Sequence, residues 1–339
     1  VEITAPAPFV ADRTVYLDRA GAERLVVVLK GTWSVTPGGE VRLAEKQEPI
    51  YPVEEFVGEP GRSSIAQEAE LGPLKPATDV FLKGCARPAR APAAKAEVFF
   101  RVGPVSCRAV VFGERRWSRV LGAAAIEGPE PFEAVPLIYE NAFGGRDVSP
   151  EDPAHHDEEA RNPVGRGFRA ERSRLPLEGS LLPSIEDPRA LLSPARRRVD
   201  PVGFGPLGRH WMPRRRYAGT YDAKWMEERA PLLPLDFDER FYNAAPPPLV
   251  APGRLAGGEP VEVTGCTPQG RLVFTLPRVA PWCHVVAERV GRTAPMELDT
   301  VTVDTEAMQV RLLWKAEIPV HGEAQRVTAI TCTFEGRPA

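Results

Sequence analysis

Leu25-Val26-Val27-Val28-Leu29-Lys30-Gly31-Thr32-Trp33-Ser34-Val35 is a run of aliphatic, β-branched and aromatic side chains that stops at Pro37-Gly38-Gly39. Such a run beside such a break reads as a strand entering a turn. Past the turn, Val41 and Leu43 alternate with Arg42, which predicts a hairpin returning on the first strand. Thr78 to Leu82, Glu97 to Val102 and Val105 to Phe112 read as further short strands, the last two punctuated by Gly103-Pro104. Arg115 to Leu121 is expected to pair back across Gly113-Glu114. Toward the far end, Val261 to Gly265, Arg271 to Leu276, His284 to Val290, Thr300 to Asp304, Gln309 to Lys315 and Arg326 to Phe334 have the same character.

Between about 128 and 258 the pattern changes. Pro and Gly recur every few residues, and few windows keep any period. Tyr221 to Arg229 predicts a short helix, with Asp222 as cap and Pro231 as stop, and a second is expected at Asp187 to Leu192. Three regions follow: a β-rich 1–127, an irregular Pro/Gly/Arg-rich 128–258 and a β-rich 259–339. The expected fold class is mainly β, with sandwich- or barrel-like sheets from both chain ends around the irregular middle. Sheets need non-local pairing, so the two ends can pack as one body.

Composition agrees with that reading. Of 339 residues, 43% are hydrophobic and 26% charged, and the formal net charge is −3. The 37 prolines are roughly twice the usual share, yet Pro plus Gly stays below the roughly 25–30% that signals disorder. Helical bundles, coiled coils and collagen-like chains are excluded. No segment approaches the roughly 20 apolar residues of a membrane helix. The opening residues carry no basic-then-apolar leader, with Val1 compatible with a trimmed or processed start, so the expectation is a soluble protein. Five scattered cysteines (Cys85, Cys107, Cys266, Cys283, Cys332) predict reduced thiols in a cytosol.

The motifs that would carry chemistry each lack a part. Gly203-Phe204-Gly205-Pro206-Leu207-Gly208 has the dinucleotide spacing but neither the preceding strand nor the following helix, and reads as a tight structural loop. His155-His156-Asp157-Glu158-Glu159 lacks metal-ligand spacing and reads as a solvated acidic loop. His210, His284 and His321 have no recognisable partners. Asp236-Phe237-Asp238 offers two carboxylates, but Glu239 and Arg240 beside them point to a salt-bridged loop or helix start. No serine sits in a nucleophile elbow. The expectation is no catalytic residues, no metal and no cofactor.

Charge is more telling. Arg196, Arg197, Arg198, Arg209, Arg214, Arg215 and Arg216 share 194–219 with Asp200 as the only acid, interleaved with Phe204, Trp211 and Tyr217. Asp147, Glu151, Asp152, Asp157, Glu158 and Glu159 fall in a stretch without Lys or Arg. Either the two segments satisfy each other inside the fold, or the arginines face a protein partner. Nucleic acid is not expected.

Family resemblance enters through the middle. Pro136-Leu137-Ile138-Tyr139-Glu140-Asn141-Ala142-Phe143-Gly144-Gly145 and Asn162-Pro163-Val164-Gly165-Arg166-Gly167-Phe168 carry it. So do Gly203 to Pro206, Trp211-Met212-Pro213-Arg214, Ala218 to Trp225 and Asp236 to Pro246. Lys30-Gly31-Thr32-Trp33, Lys75 to Val80 and Leu255 to Glu259 agree with them. Over roughly residues 5–280 the chain resembles the domain-of-unknown-function 2169 (DUF2169) family found with type VI secretion systems. The resemblance implies a non-enzymatic adaptor or chaperone in the cytoplasm of a bacterial donor cell. Its implied partners are a secreted toxin effector, or the carrier domain that links one to the spike, and the spike protein, with no membrane. A hydrolase using metal or carboxylates, or a structural component of a β-rich assembly, is the alternative. Trp211, Arg214, Arg215, Tyr217, Tyr221, Trp225 and Phe237 are the candidate partner-binding residues, because exposed aromatics and arginines dominate binding hot spots. The opposing expectation is that a Pro-rich middle with few aliphatics uses its aromatics to build its own core.

Overall fold

The computed structural model describes residues 1–287, 290–320, 322 and 324–334. Strand predominates, at 40% against 8% helix. The predicted hairpin is present: Glu23–Val35 pairs with Val41–Leu43 through Trp33↔Leu43 and Val35↔Val41. Its turn needs Gly39 at φ +86°, where a β-carbon would also stand 2.0 Å from the Val273 carbonyl oxygen.

Glu23–Val35 is central to a six-stranded sheet that interleaves the two ends of the chain. Val10–Leu17 flanks it on one side, and Gln309–Pro319, Glu297–Asp304 and Asp79–Lys83 follow on the other. All pairings are antiparallel except Asp79–Lys83, which runs parallel to Glu297–Asp304. A five-stranded sheet contains Val105–Phe112, Lys95–Val102, Pro260–Thr264 and Arg271–Thr275. A four-stranded one contains Glu2–Thr4, Val327–Thr333, Trp282–Ala287 and Val290–Pro295. One apolar core joins the three sheets, with Leu25, Val27 and Leu29 from the first, Phe100 and Val263 from the second, and Val285 and Ile330 from the third.

Both faces of Glu23–Val35 are buried, which is why Leu25 to Leu29 is continuous rather than alternating. Leu25, Val27 and Leu29 enter the main core. Val26 and Val28 face the other way with Leu313, under Tyr16, Ile50 and Leu71. That second face also buries Lys30, Asp79, Arg311 and Lys315. The irregular stretch from about 44 to 75 supplies partners to them: Lys30 Nζ binds Glu70 at 2.7 Å and the Pro49 carbonyl at 2.7 Å. Lys315 reaches the Pro73 carbonyl.

Three expectations are corrected. Arg116–Val120 does not fold back on Val105–Phe112 but pairs with Ala123–Glu127. Arg115 is drawn inward to Glu186 and the Pro183 carbonyl, which takes the chain away from the preceding strand. Asp187 to Leu192 is a turn and not a helix, because the Asp187 carboxylate accepts the Arg189 N–H and its carbonyl accepts the Ala190 N–H. His284 to Val290 divides into Trp282–Ala287 and Val290–Pro295, which pair with each other. Residues 288 and 289, like His321, lie outside the described residues. The helix Ala223–Glu228 is present, and the Asp222 carboxylate accepts the Trp225 N–H as its cap. The five cysteines are free thiols, four of them buried.

Candidate partner-binding surface

The seven candidate residues divide by burial. Trp211, Arg214 and Phe237 are buried and present no surface to a partner in this structure. Trp211 packs edge-on to Tyr139 at 5.3 Å and joins a small core with Leu207. Arg214 donates through Nη1 to the Leu207 carbonyl at 2.6 Å and through Nε to the Phe241 carbonyl at 3.1 Å. Burial pushes its guanidinium below its ordinary pKa, opposed by the charges of Glu68 and Asp79. Phe237 packs on Phe241 at 5.6 Å and Tyr242 at 5.4 Å. With few aliphatics available, the middle segment has recruited these aromatics as its own core.

The glycine motif serves the same core. A β-carbon on Gly203 would stand 2.2 Å from the Tyr139 ring, and one on Gly208 would stand 2.8 Å from the Trp211 indole nitrogen. The loop is tight because aromatic rings lie on its backbone.

The remaining four candidates lie on one stretch outside this core. Arg215 is exposed, and Tyr217 lies between Arg216 at 4.7 Å and Arg240 at 4.5 Å. Tyr221 is 53% exposed and packs edge-on to the half-buried Trp225 at 4.7 Å. The Trp225 indole N–H donates to the Leu232 carbonyl, which ties the short helix to the chain that follows it. Met226 and Leu235, 64% and 75% exposed, join the stretch although sequence reasoning misses them. Nothing in their spacing marks them; only their exposure does.

A groove of about 1010 Å³ opens beside this stretch, lined by Arg108, Met212, Arg216, Pro247 and a set of ion pairs. Glu159 and Asp200 both hold Arg161, at 2.7 and 2.5 Å, and Asp187 holds Arg189 at 2.7 Å. Arg108 and Arg216 bear on aromatic rings and have no acid partner among these pairs. With four arginines (Arg108, Arg161, Arg189, Arg216) against three acids (Glu159, Asp187, Asp200), the groove carries one positive charge in excess.

The charge expectation is corrected in detail. The acidic segment meets Arg146, Arg161 and Arg174 rather than the arginine segment. Arg209 pairs with Glu54, while Arg197 and Arg198 bear on Trp117 and Phe168. The two segments do touch, through the Met212 N–H to the Ala160 carbonyl.

Asp147, in the acidic segment, is almost fully buried. Burial raises its pKa, but hydrogen bonds from Ser149, Ser173 and the Ala170 backbone outweigh that and bring it to about 2. A depressed carboxylate stabilises the fold above its unfolded pKa and loses that contribution as pH falls through the folded value. We expect Asp147→Asn to cost about 2 kcal/mol near neutrality, with the difference from the native protein closing as pH falls from about 4 toward 2. Paired denaturant titrations across that range check it, and a difference that stays constant with pH defeats it.

The residues weighed for catalysis have local duties. Asp236 accepts the Thr220 N–H and hydroxyl, and Asp238 holds Arg240 at 2.5 Å while capping the turn Glu239–Tyr242. Their hydrogen bonds, from Thr220 to Asp236 and from Arg240 to Asp238, hold both pKa values below the ordinary carboxylate range. His156 contacts the Pro150 carbonyl, and His155 lies against Arg172. Among the described residues no group of three or more His, Cys, Asp or Glu is placed to hold a metal ion, and no helix is long and apolar enough to cross a membrane.

The family model described as "Uncharacterized protein conserved in bacteria (DUF2169)" matches residues 20–315. The match reaches further into the late strands than the sequence motifs do. No curated protein and no solved structure matches the chain.

Proposed function

This chain belongs to the DUF2169 family of bacterial proteins, and on that premise we propose a non-enzymatic adaptor that works in the cytoplasm of the donor cell. It holds a type VI secretion effector, or the carrier domain linking one to the spike, and helps seat it on the spike protein. The observation that supports this reading is one stretch on which Arg215, Tyr221, Met226 and Leu235 are exposed and Tyr217 and Trp225 half-buried, beside a groove lined by four arginines. Aromatic, methionine and arginine side chains are the types enriched in protein interfaces. Unspent positive charge at Arg108 and Arg216 favours an acidic stretch on the partner and speeds the encounter.

The triple variant Arg215→Ala, Arg216→Ala, Tyr221→Ala tests the surface and leaves the buried Arg214 in place. We expect a loss of effector affinity of about tenfold or more, since truncating hot-spot residues commonly costs about 2 kcal/mol or more. The salt dependence of binding should flatten at the same time. Titration calorimetry with the co-purified effector measures both. Unchanged affinity and unchanged salt dependence would remove this surface from the proposal.

A further inference from the structure

Two of the five thiols face each other across a strand pair. Trp282–Ala287 and Val327–Thr333 run antiparallel in the four-stranded sheet, and their register sets Cys283 directly opposite Cys332. Both side chains are buried in the main core, on the same sheet face as Val285 and Ile330. The other three have no such counterpart. Cys107 stands opposite Phe100, Cys85 stands opposite Pro136, and Cys266 lies outside the strands.

The kind of pair decides what the two sulfurs can do. Opposite residues of an antiparallel ladder alternate between pairs that exchange backbone hydrogen bonds and pairs that do not, and the second kind stand closer, at about 4.5 Å between α-carbons. The Pro281 carbonyl accepts the Met296 N–H, so it turns toward the Val290–Pro295 side of its strand. Backbone direction repeats every second residue, so the polar groups of Cys283 turn the same way, away from Val327–Thr333. The Val286 carbonyl has the opposite parity and accepts the Thr328 hydroxyl, on the Val327–Thr333 side, at 3.2 Å. Cys283 and Cys332 are therefore a pair without mutual backbone hydrogen bonds. The spacing of such a pair falls at the short end of the roughly 4.4–6.8 Å that a disulfide spans.

Neither thiol is reactive in the closed sheet. Burial pushes Cys283 up to about 11 and Cys332 up to about 12, and the thiolate is the reactive form. The pair stands one place from the end of the ladder, where Trp282 meets Thr333. Strand ends open at far lower cost than whole sheets, and opening there reaches both sulfurs while the rest of the sheet stays paired.

We propose that Cys283 and Cys332 form a reversible cross-strand disulfide when the protein meets a peroxide. The peroxide oxidises one thiol to a sulfenic acid and leaves as water. The facing thiol attacks that sulfur, and the hydroxyl leaves with the proton of the attacking thiol as a second water. Two thiols lose two electrons and two protons, and the cleaved O–O bond takes up both. The new bond closes the chain from 283 to 332, which carries Glu297–Asp304 and Gln309–Pro319, so it ties the sheet built from the chain ends to the six-stranded sheet. Closing a long loop restricts the unfolded chain, and the clip stabilises the fold. In a reducing compartment the pair remains two thiols. The inference rests on strand register and not on the adaptor reading.

Hydrogen peroxide treatment of the full chain tests it, followed by alkylation of free thiols in denaturant and peptide mapping by mass spectrometry without reductant. Most molecules should carry a Cys283–Cys332 link, with the far-UV circular dichroism unchanged and the thermal midpoint raised by about 3 °C or more. Dithiothreitol should reverse both the link and the rise. Cys332→Ala, treated in the same way, should show no rise, which separates the clip from oxidation at Cys85, the one cysteine of the five that is not buried. Cys283→Ala replaces it if that variant does not fold. Cys283 and Cys332 still free after Cys85 has been oxidised, a link from either of them to another cysteine, or a Cys283–Cys332 link that leaves the midpoint unmoved overturns the proposal.

Discussion

Lys75→Met should be among the most damaging single substitutions in the molecule, lowering stability by about 3–5 kcal/mol. Its ammonium is buried and holds Glu68 at 2.7 Å, Asp79 at 2.9 Å and the Thr300 hydroxyl at 2.9 Å, with Asp299 at 3.7 Å. Methionine fills much of the space and removes the charge. Asp79 keeps the Asn243 side chain and the Ala244 N–H, and Asp299 keeps Lys315. Glu68 loses the ammonium that holds it and is left as a buried, uncompensated charge. Burial already raises the Glu68 pKa, against the lowering charges of Lys75 and Arg214, and the substitution raises it further. An acid whose folded pKa is raised costs stability at pH values above its unfolded pKa, where it would ionise. The damage should therefore be largest near neutrality and shrink as pH falls toward the ordinary glutamate range. Adding Glu68→Gln should recover part of the loss, a coupling that denaturant unfolding of the four proteins in the cycle measures. A single-variant loss below about 1 kcal/mol would show that the cluster tolerates the missing cation and that this account of it is wrong.

The legible parts of the fold were those set by local chemistry. The hairpin over residues 23–43 is written in β-branched residues and a Pro-Gly-Gly turn, and the helix Ala223–Glu228 in the Asp222 cap. Long-range pairing has no local signal. Asp79–Lys83 lies beside Glu297–Asp304 in parallel, across more than two hundred residues. Nothing in either stretch names the other. Residue type also does not report exposure. Trp211, Arg214 and Phe237 have the composition of a hot spot and the position of a core, because a segment poor in aliphatics buries what it has. Arg311 and Lys315 left a faint trace, as two cations on one face of an otherwise apolar strand. A charged residue two or four places from another inside such a strand marks a sheet face covered by polar chain. Glu68, Glu70 and Lys75, which add the pairs Glu68–Lys75 and Glu70–Lys30 to the buried charges, sit in an irregular stretch whose letters show no such pattern.

Removing this protein alone from the donor cell should lower the effector's steady-state level and effector-dependent killing together, while spike and sheath still assemble and fire. A partner that binds the native effector and not its unfolded chain stabilises it by RT ln(1 + [L]/Kd), about 2.7 kcal/mol when the free partner is at a hundredfold excess over Kd. A marginal domain owes its abundance to a margin of that size, since about 1–2 kcal/mol changes cellular levels several-fold. Loss of the adaptor therefore acts twice, by exposing the effector to degradation and by removing its route to the spike. A chromosomal copy carrying Arg215→Ala, Arg216→Ala and Tyr221→Ala, all at exposed positions, should move effector level and killing part of the way toward the deletion, since a tenfold loss of affinity lowers the stabilisation at that partner concentration from about 2.7 to about 1.4 kcal/mol. An effector that remains abundant and is delivered normally in the deletion strain ends the adaptor reading, and the structural or enzymatic alternative takes its place.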